Sequence, residues 1–183
     1  MNKILLSSLM FLMACSATPV TQYYTLPDSV FRQPENKTLQ MDNSVQVWVE
    51  NSSNNNALVY QTTAETVHFA KNALWAEPLD KATSNAFANA MNENSQNIIY
   101  LPKNNEKQNC PCIKIDLQSF QGAYTGEVKV AGVAYFYDKN GKTNKIKPFM
   151  VKQTQHGDGY DAMTQALGEA IKQTAREILR YSR

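Results

Sequence analysis

Residues 112–137 read CIKIDLQSFQGAYTGEVKVAGVAYFY, and the pattern within them decides the fold class. Ile113, Ile115 and Leu117 alternate with Lys114, Asp116 and Gln118, the period of a strand with one buried face. Gly122 and Gly126 bracket a turn, after which Val128 and Val130 open a second strand that continues through Tyr137. The alternation loses phase near Ala131 and Gly132, which predicts a bulge or a close backbone approach there. Asp138, Lys139, Asn140 and Gly141 signal another turn before a third strand over 146–155. Strands that follow one another through short turns predict an antiparallel meander.

Working outward, Tyr160, Met163, Leu167, Ile171, Thr174 and Ile178 recur on one helical face, with Asp158 placed as an N-cap. On the other side, 98–101 reads as a short strand and 103–109 as a polar loop. Leu79, Ala82, Ala86, Phe87, Ala90 and Met91 mark an earlier amphipathic helix, with Pro78 suited to its first turn. Residues 58–62 and 66–70 form a hairpin by composition, and Val45, Val47 and Val49 alternate as a strand. The first strand spans 22–26 and stops at Pro27, while 28–43 reads as a long surface connection and 51–56 as a loop. The predicted class is α+β: a mainly antiparallel sheet with two amphipathic helices packed on it.

The N-terminus carries a different message. Lys3 precedes a run, 4–14, that is apolar apart from Ser7 and Ser8, too short for a bilayer core that needs about 20 apolar residues. Leu12, Met13, Ala14 and Cys15 resemble a bacterial lipobox, in which the thiol is acylated and becomes the first residue of the mature chain. The predicted organisation is a signal peptide over 1–14, a lipidated Cys15 (a palmitate-type anchor) with a tether over 15–21, and one domain over 22–183. Ser16, which is not Asp, favours the outer membrane by resemblance to lipoprotein sorting, so the chain is expected there, facing the periplasm of a Gram-negative envelope.

The chemistry of the remaining residues points away from catalysis. The 183 residues carry 18 Lys and Arg against 16 Asp and Glu, for a net charge of +2 without a basic stripe, which argues against nucleic acid. No phosphate loop, nucleophile elbow or recognisable metal-ligand spacing occurs. No catalytic residue, metal or cofactor is expected. His68 and His156 read as structural residues. Cys110 and Cys112 remain after Cys15; an extended segment separates residues two apart by roughly 6.6–7.2 Å, at or beyond the upper edge of the disulfide range of about 4.4–6.8 Å. A bridge closed by a bend at Pro111, two thiols, and cross-chain pairing stay open as alternatives.

Five stretches share an order: 22–27 (QYYTLP), 58–62 (LVYQT), 72–79 (NALWAEPL), 120–126 (FQGAYTG) and 157–163 (GDGYDAM). Behind a lipobox, they resemble the ABC-type transport auxiliary lipoprotein family. The resemblance implies a non-enzymatic component of an intermembrane lipid-transport system. It would support membrane integrity and dock a periplasm-spanning MCE-domain protein, whose system also has an inner-membrane subunit. Homo-oligomerisation is expected by analogy with MCE rings. Tyr23, Tyr24, Asn72 and Trp75 are the expected partner-binding residues, since Tyr and Trp bury large area at small entropic cost. The competing reading is a periplasmic lipoprotein that itself holds a lipid or small ligand.

Overall fold

The computed structural model describes residues 19–35, 44–51, 56–103 and 111–182. The expected signal peptide at 1–14, Cys15, Cys110 and most of the expected loops at 51–56 and 103–109 lie outside them. Among the described residues the chain runs β1 (Gln22–Tyr24), β2 (Ser44–Asn51), β3 (Ala57–Gln61), β4 (Val67–Trp75), α1 (Leu79–Glu93), β5 (Ile99–Pro102), β6 (Cys112–Gly122), β7 (Glu127–Tyr137), β8 (Thr143–Thr154) and α2 (Gly159–Ser182). The eight strands form one sheet. The class is α+β, with both helices packed against the same sheet.

β6 is its spine. One edge pairs antiparallel with β7, which pairs antiparallel with β8. The other edge takes two strands end to end, β2 along Gln46–Asn51 and β3 at Tyr60 opposite Gly122, both parallel to β6. β5 then adds parallel to β2, β4 antiparallel to β3, and β1 parallel to β4. The expectation of a mainly antiparallel sheet is therefore corrected: four of the seven pairings are parallel, and the sheet is mixed. The physical reason is that period-two alternation reports which face a residue occupies and carries no information on the direction of the neighbouring strand. A second correction concerns 72–75, which the sequence reading leaves outside any strand. These residues complete β4, and Tyr23 and Tyr24 pair with Leu74 and Trp75.

The phase loss in the β6–β7 hairpin has a definite geometry. Register slips between Leu117 and Ser119, so Gln118 is the extra residue, opposite Gly132 and Ala131. A Cβ on Gly132 would run into the Asp116 carbonyl oxygen, so only glycine allows the two backbones to approach as they do.

Burial explains which face the helices cover. Ile113, Ile115 and Leu117 of β6, Val128, Val130 and Ala134 of β7, and Phe149 and Val151 of β8 all belong to one core with Phe87 and Met91 of α1 and Leu167, Ile171 and Ile178 of α2. α1 also completes the sheet with polar side chains. Ser84 Oγ accepts from Val49 N–H at 3.0 Å, and Asn92 grips Tyr100 through Tyr100 N–H to Oδ1 at 2.9 Å and Nδ2 to the Tyr100 carbonyl at 2.8 Å.

After β1 the chain crosses both helices as a strap. Leu26 enters the core, Pro27 lies on Gly168, where a side-chain Cβ would come within 2.9 Å of the Pro27 ring, and Asp28 takes a left-handed φ of 60°. Asn89 holds the strap with three bonds: Nδ2 donates to the carbonyls of Asp28 (2.9 Å) and Val30 (2.8 Å), and Oδ1 accepts from Arg32 N–H (2.9 Å). Asn85 Nδ2 adds a bond to the Ser29 carbonyl at 2.7 Å. The Asp28 carboxylate pairs with Arg32 at 2.6 Å and Lys172 at 3.3 Å. Burial pushes this carboxyl up, but the bonds and charges of Arg32 and Lys172 outweigh it and hold it below its usual value.

Two outcomes follow from the strap. Asn89→Ala should cost about 2–3 kcal/mol in urea denaturation, roughly 1 kcal/mol per lost bond. Asp28→Asn keeps a residue that tolerates positive φ and should cost on the order of 1 kcal/mol at neutral pH. Because the folded pKa is depressed, the native advantage is present above the unfolded value and lost as pH falls through the folded one. The stabilities of native and Asp28→Asn proteins should therefore converge in acid; a gap that stays constant down to the acid limit would contradict the ion-pair assignment.

Candidate functional site

The β3–β4 turn, the β6–β7 turn and the link from β8 to α2 meet at one pole of the molecule. Hydrogen bonds fix each: Thr62 N–H to the Thr66 carbonyl at 3.0 Å, Ala123 N–H to Glu127 at 2.7 Å, and Gln155 N–H to Gly126 at 2.9 Å. Between them lies an open, mainly apolar cleft of about 440 Å³, walled by Tyr60, Tyr124, Tyr160 and Met163 and floored by Gly122. β1 pairs parallel with the last three residues of β4, Ala73–Trp75, so the chain before Gln22 leads back toward this pole, and Gln22–Thr25 lie beside Asp161, Thr164 and Gln165 in the first turns of α2.

The rings at this pole form a chain. Tyr24 meets Tyr160 edge-on with centroids 5.6 Å apart, Tyr160 meets Tyr60 at 6.1 Å, and Tyr60 tilts over His68 at 4.9 Å. Offset and edge-on contacts of this kind add about 0.5–1.5 kcal/mol each beyond their burial. Burial pushes the Tyr160 phenol above its usual value, and the neighbouring Tyr60 and Tyr24 phenols add to the shift. It is thus neutral in ordinary buffers and acts as an apolar wall with a hydrogen-bonding tip.

The four residues expected to meet a partner are neighbours on β1 and β4 but differ in what they offer. Tyr23 is 67% exposed, and Trp75 only 4%. Trp75 packs on Phe120 with ring centroids 5.9 Å apart and is a core side chain, which removes it as a contact residue in this chain. Tyr24 and Asn72 are half-buried, and the Tyr24 hydroxyl donates to Gln22 Oε1 at 2.6 Å. Cys112 pairs in register with Tyr137, while its expected neighbour in chemistry, Cys110, lies outside the described residues. No group of three or more His, Cys, Asp or Glu that could hold a metal occurs among the described residues.

The sequence reading missed Tyr60, Tyr124 and Tyr160 as members of one surface. They lie far apart in the chain, and only the convergence of three turns brings them together. The turn glycines Gly122, Gly126 and Gly159 were the available signal.

The opposite pole has another character. The β7–β8 turn and the start of β8 carry exposed Lys139, Lys142 and Lys145, beside Arg180 at the end of α2. Lys145 Nζ donates to the Tyr181 and Ser182 carbonyls at 3.3 Å each, where a cation complements the helix C-terminus. On the open face of the sheet, Lys103 and Lys114 stand 3.4 and 4.9 Å from the Trp48 ring centroid, and Lys114 pairs with Glu50 at 2.7 Å.

Comparison with known proteins agrees with this architecture. The chain is 29% identical over 176 residues to the intermembrane transport lipoprotein PqiC of Escherichia coli K12 and to that of Shigella flexneri, covering 92% of this chain and 90% of each relative. Its fold is shared by the crystal structure of an uncharacterised protein, with a TM-score of 0.73, 23% identity, 90% of this chain covered and 100% of the other. A Xanthomonas campestris protein gives a TM-score of 0.65 at 15% identity, over 86% of this chain and 92% of the other. Residues 24–179 match the ABC-type transport auxiliary lipoprotein component, a span that takes in every strand and helix from the end of β1 to α2, and the chain belongs to that family.

Proposed function

We propose that this protein is an outer-membrane lipoprotein that is held by an acylated Cys15, faces the periplasm, and docks the periplasm-spanning MCE-domain protein of an intermembrane lipid-transport system. The observation that carries this reading is similarity over 92% of the chain to proteins named as intermembrane transport lipoproteins. The role is non-enzymatic, in keeping with the family's description as a transport auxiliary component. It supports membrane integrity by keeping the transport system, including its inner-membrane subunit, in register with the outer membrane.

The fold supports such a part. Gln22, the start of β1, is the seventh residue after Cys15, so the tether reaches at most about 25 Å. Beyond it, β1 and the strap bind the chain to both helices, so an anchor force is carried into the core. Docking is assigned to the exposed side of β1, with Tyr23 as its aromatic anchor and Asn72 beside it. A second reading is favoured by one observation: the apolar cleft of about 440 Å³ falls within the roughly 300–1,000 Å³ of small-molecule sites. On that reading the protein itself carries a lipid or small apolar ligand.

Three measurements separate these outcomes. Cys15→Ala should abolish palmitate labelling and outer-membrane recovery; unchanged label would end the lipoprotein reading. Tyr23→Ala with Asn72→Ala should weaken co-purification of the MCE protein while lipidation and thermal stability stay as they were, and undiminished co-purification would place docking elsewhere. Mass spectrometry of the gently purified protein should find no stoichiometric lipid, whereas one bound lipid per chain would favour the carrier.

A further inference from the structure

We propose that the pole carrying the tyrosine cleft is a membrane-seating surface: it rests on the lipid bilayer at headgroup level, and the basic pole points away from that membrane. This rests on the lipoprotein reading for its biological setting, and three structural observations support it.

The first is where the chain leaves the fold. β1 runs parallel to the last three residues of β4, so the chain before Gln22 leads back toward the β3–β4 turn at this pole, beside the first turns of α2. A tether of at most about 25 Å keeps the pole closest to whatever Cys15 is fixed in. The second is the distribution of exposed apolar side chains. Tyr124 (58% exposed) tips the β6–β7 turn and Val20 precedes β1, while Val67 and Phe69 follow the β3–β4 turn on the open side of the sheet, paired with Gln61 and Val59 on either side of Tyr60. Tyr23 is left out of this set: it lies on the open side of the sheet opposite Leu74, near the end of β4 that is away from the β3–β4 turn. The third is the chemistry around the apolar groups. Thr62, Thr63, Thr66 and Thr125 stand among them, together with the acidic Glu65, Glu127 and Asp158 at the edges of the three turns, and tyrosine beside threonine suits the membrane–water interface, where the ring is buried and the hydroxyl stays wet.

The opposite pole also exposes an apolar residue, Ile146, but differs in charge. Its exposed aromatic, Tyr181, lies under Lys145 and Lys147, whose Nζ atoms stand 5.9 and 5.3 Å from the ring centroid. A ring covered by hydrated cations presents charge to its surroundings. Seating by the tyrosine pole leaves the long β6–β7–β8 strands standing away from the bilayer, with the basic end toward the periplasm.

The test uses the chain from Ser16 onward, in which every core residue is retained, with an N-terminal histidine tag. It is held on phosphatidylethanolamine–phosphatidylglycerol vesicles by a small fraction of nickel-chelating lipid. This tether does not depend on Cys15, so a failure of lipidation, read by palmitate labelling, is separate from a failure of seating. Tyr124→Trp and Tyr181→Trp report the two poles, each against the emission of the parent protein. The expected result is a blue shift at position 124 on vesicles and a loss of that emission when the lipids carry brominated acyl chains, with neither change at 181. Quenching at 181 in preference to 124 would mean that the basic pole seats on the anionic surface, and equal quenching or none at both positions would remove an oriented contact. A blue shift at 124 without vesicles, growing with protein concentration, would show that a second copy covers the pole. Each of these three results overturns the proposal.

Discussion

One strand, β6, has to satisfy three demands at once: a parallel partner on one edge, an antiparallel partner on the other, and burial of one face beneath two helices. The parallel edge is shared by β2 and β3, and the antiparallel edge absorbs an extra residue at Gln118. The bulge keeps Phe120 and Gly122 on the helix side after Leu117 has used its turn, so the apolar face is not lost to a one-residue slip. Gly132 is the complement of that choice, since its lack of a side chain lets the Asp116 carbonyl approach. The end-to-end strands also create a demand that α1 answers with Ser84 and Asn92, which hold strand backbone from the buried side.

The same economy governs the start of the chain. A three-residue strand such as β1 is weak alone, and the strap that follows it contributes no regular pairing. Asn85 and Asn89 supply the missing partners from α1, and Asp28 ties the strap to α2 through Lys172. The result is that the first ordered residues after the tether are fastened to the two longest helical surfaces. An anchored protein needs its attachment point to resist being peeled from the fold, and the strap provides that resistance through several distributed bonds.

Much of this was legible in the sequence, for reasons that also explain what was not. α2 was readable because Met163, Leu167, Ile171 and Ile178 keep a helical period over about four turns and are all buried. The β6 face was readable because Ile113, Ile115 and Leu117 alternate without interruption. Strand direction was hidden, since the same alternation serves parallel and antiparallel neighbours, and the meander suggested more antiparallel pairing than the sheet contains. Trp75 looked like an interface anchor from its type; its pairing with Tyr24 and contact with Phe120 place it inside. The strap left no periodic trace, because asparagine side chains on a helix can hold an irregular backbone at any spacing that geometry allows. The tyrosine cleft likewise depends on three turns meeting, a long-range fact that no local window contains.

The central claim is that this domain works by holding a protein partner at the membrane that bears its anchor. Crosslinking in intact cells, followed by denaturing purification of the protein and identification of what is covalently attached, tests it most directly. The account predicts an MCE-domain protein joined to surfaces outside the tyrosine pole. Recovery of the protein with bound lipid and with no MCE-domain protein attached, under conditions where the transport system is intact, would contradict it.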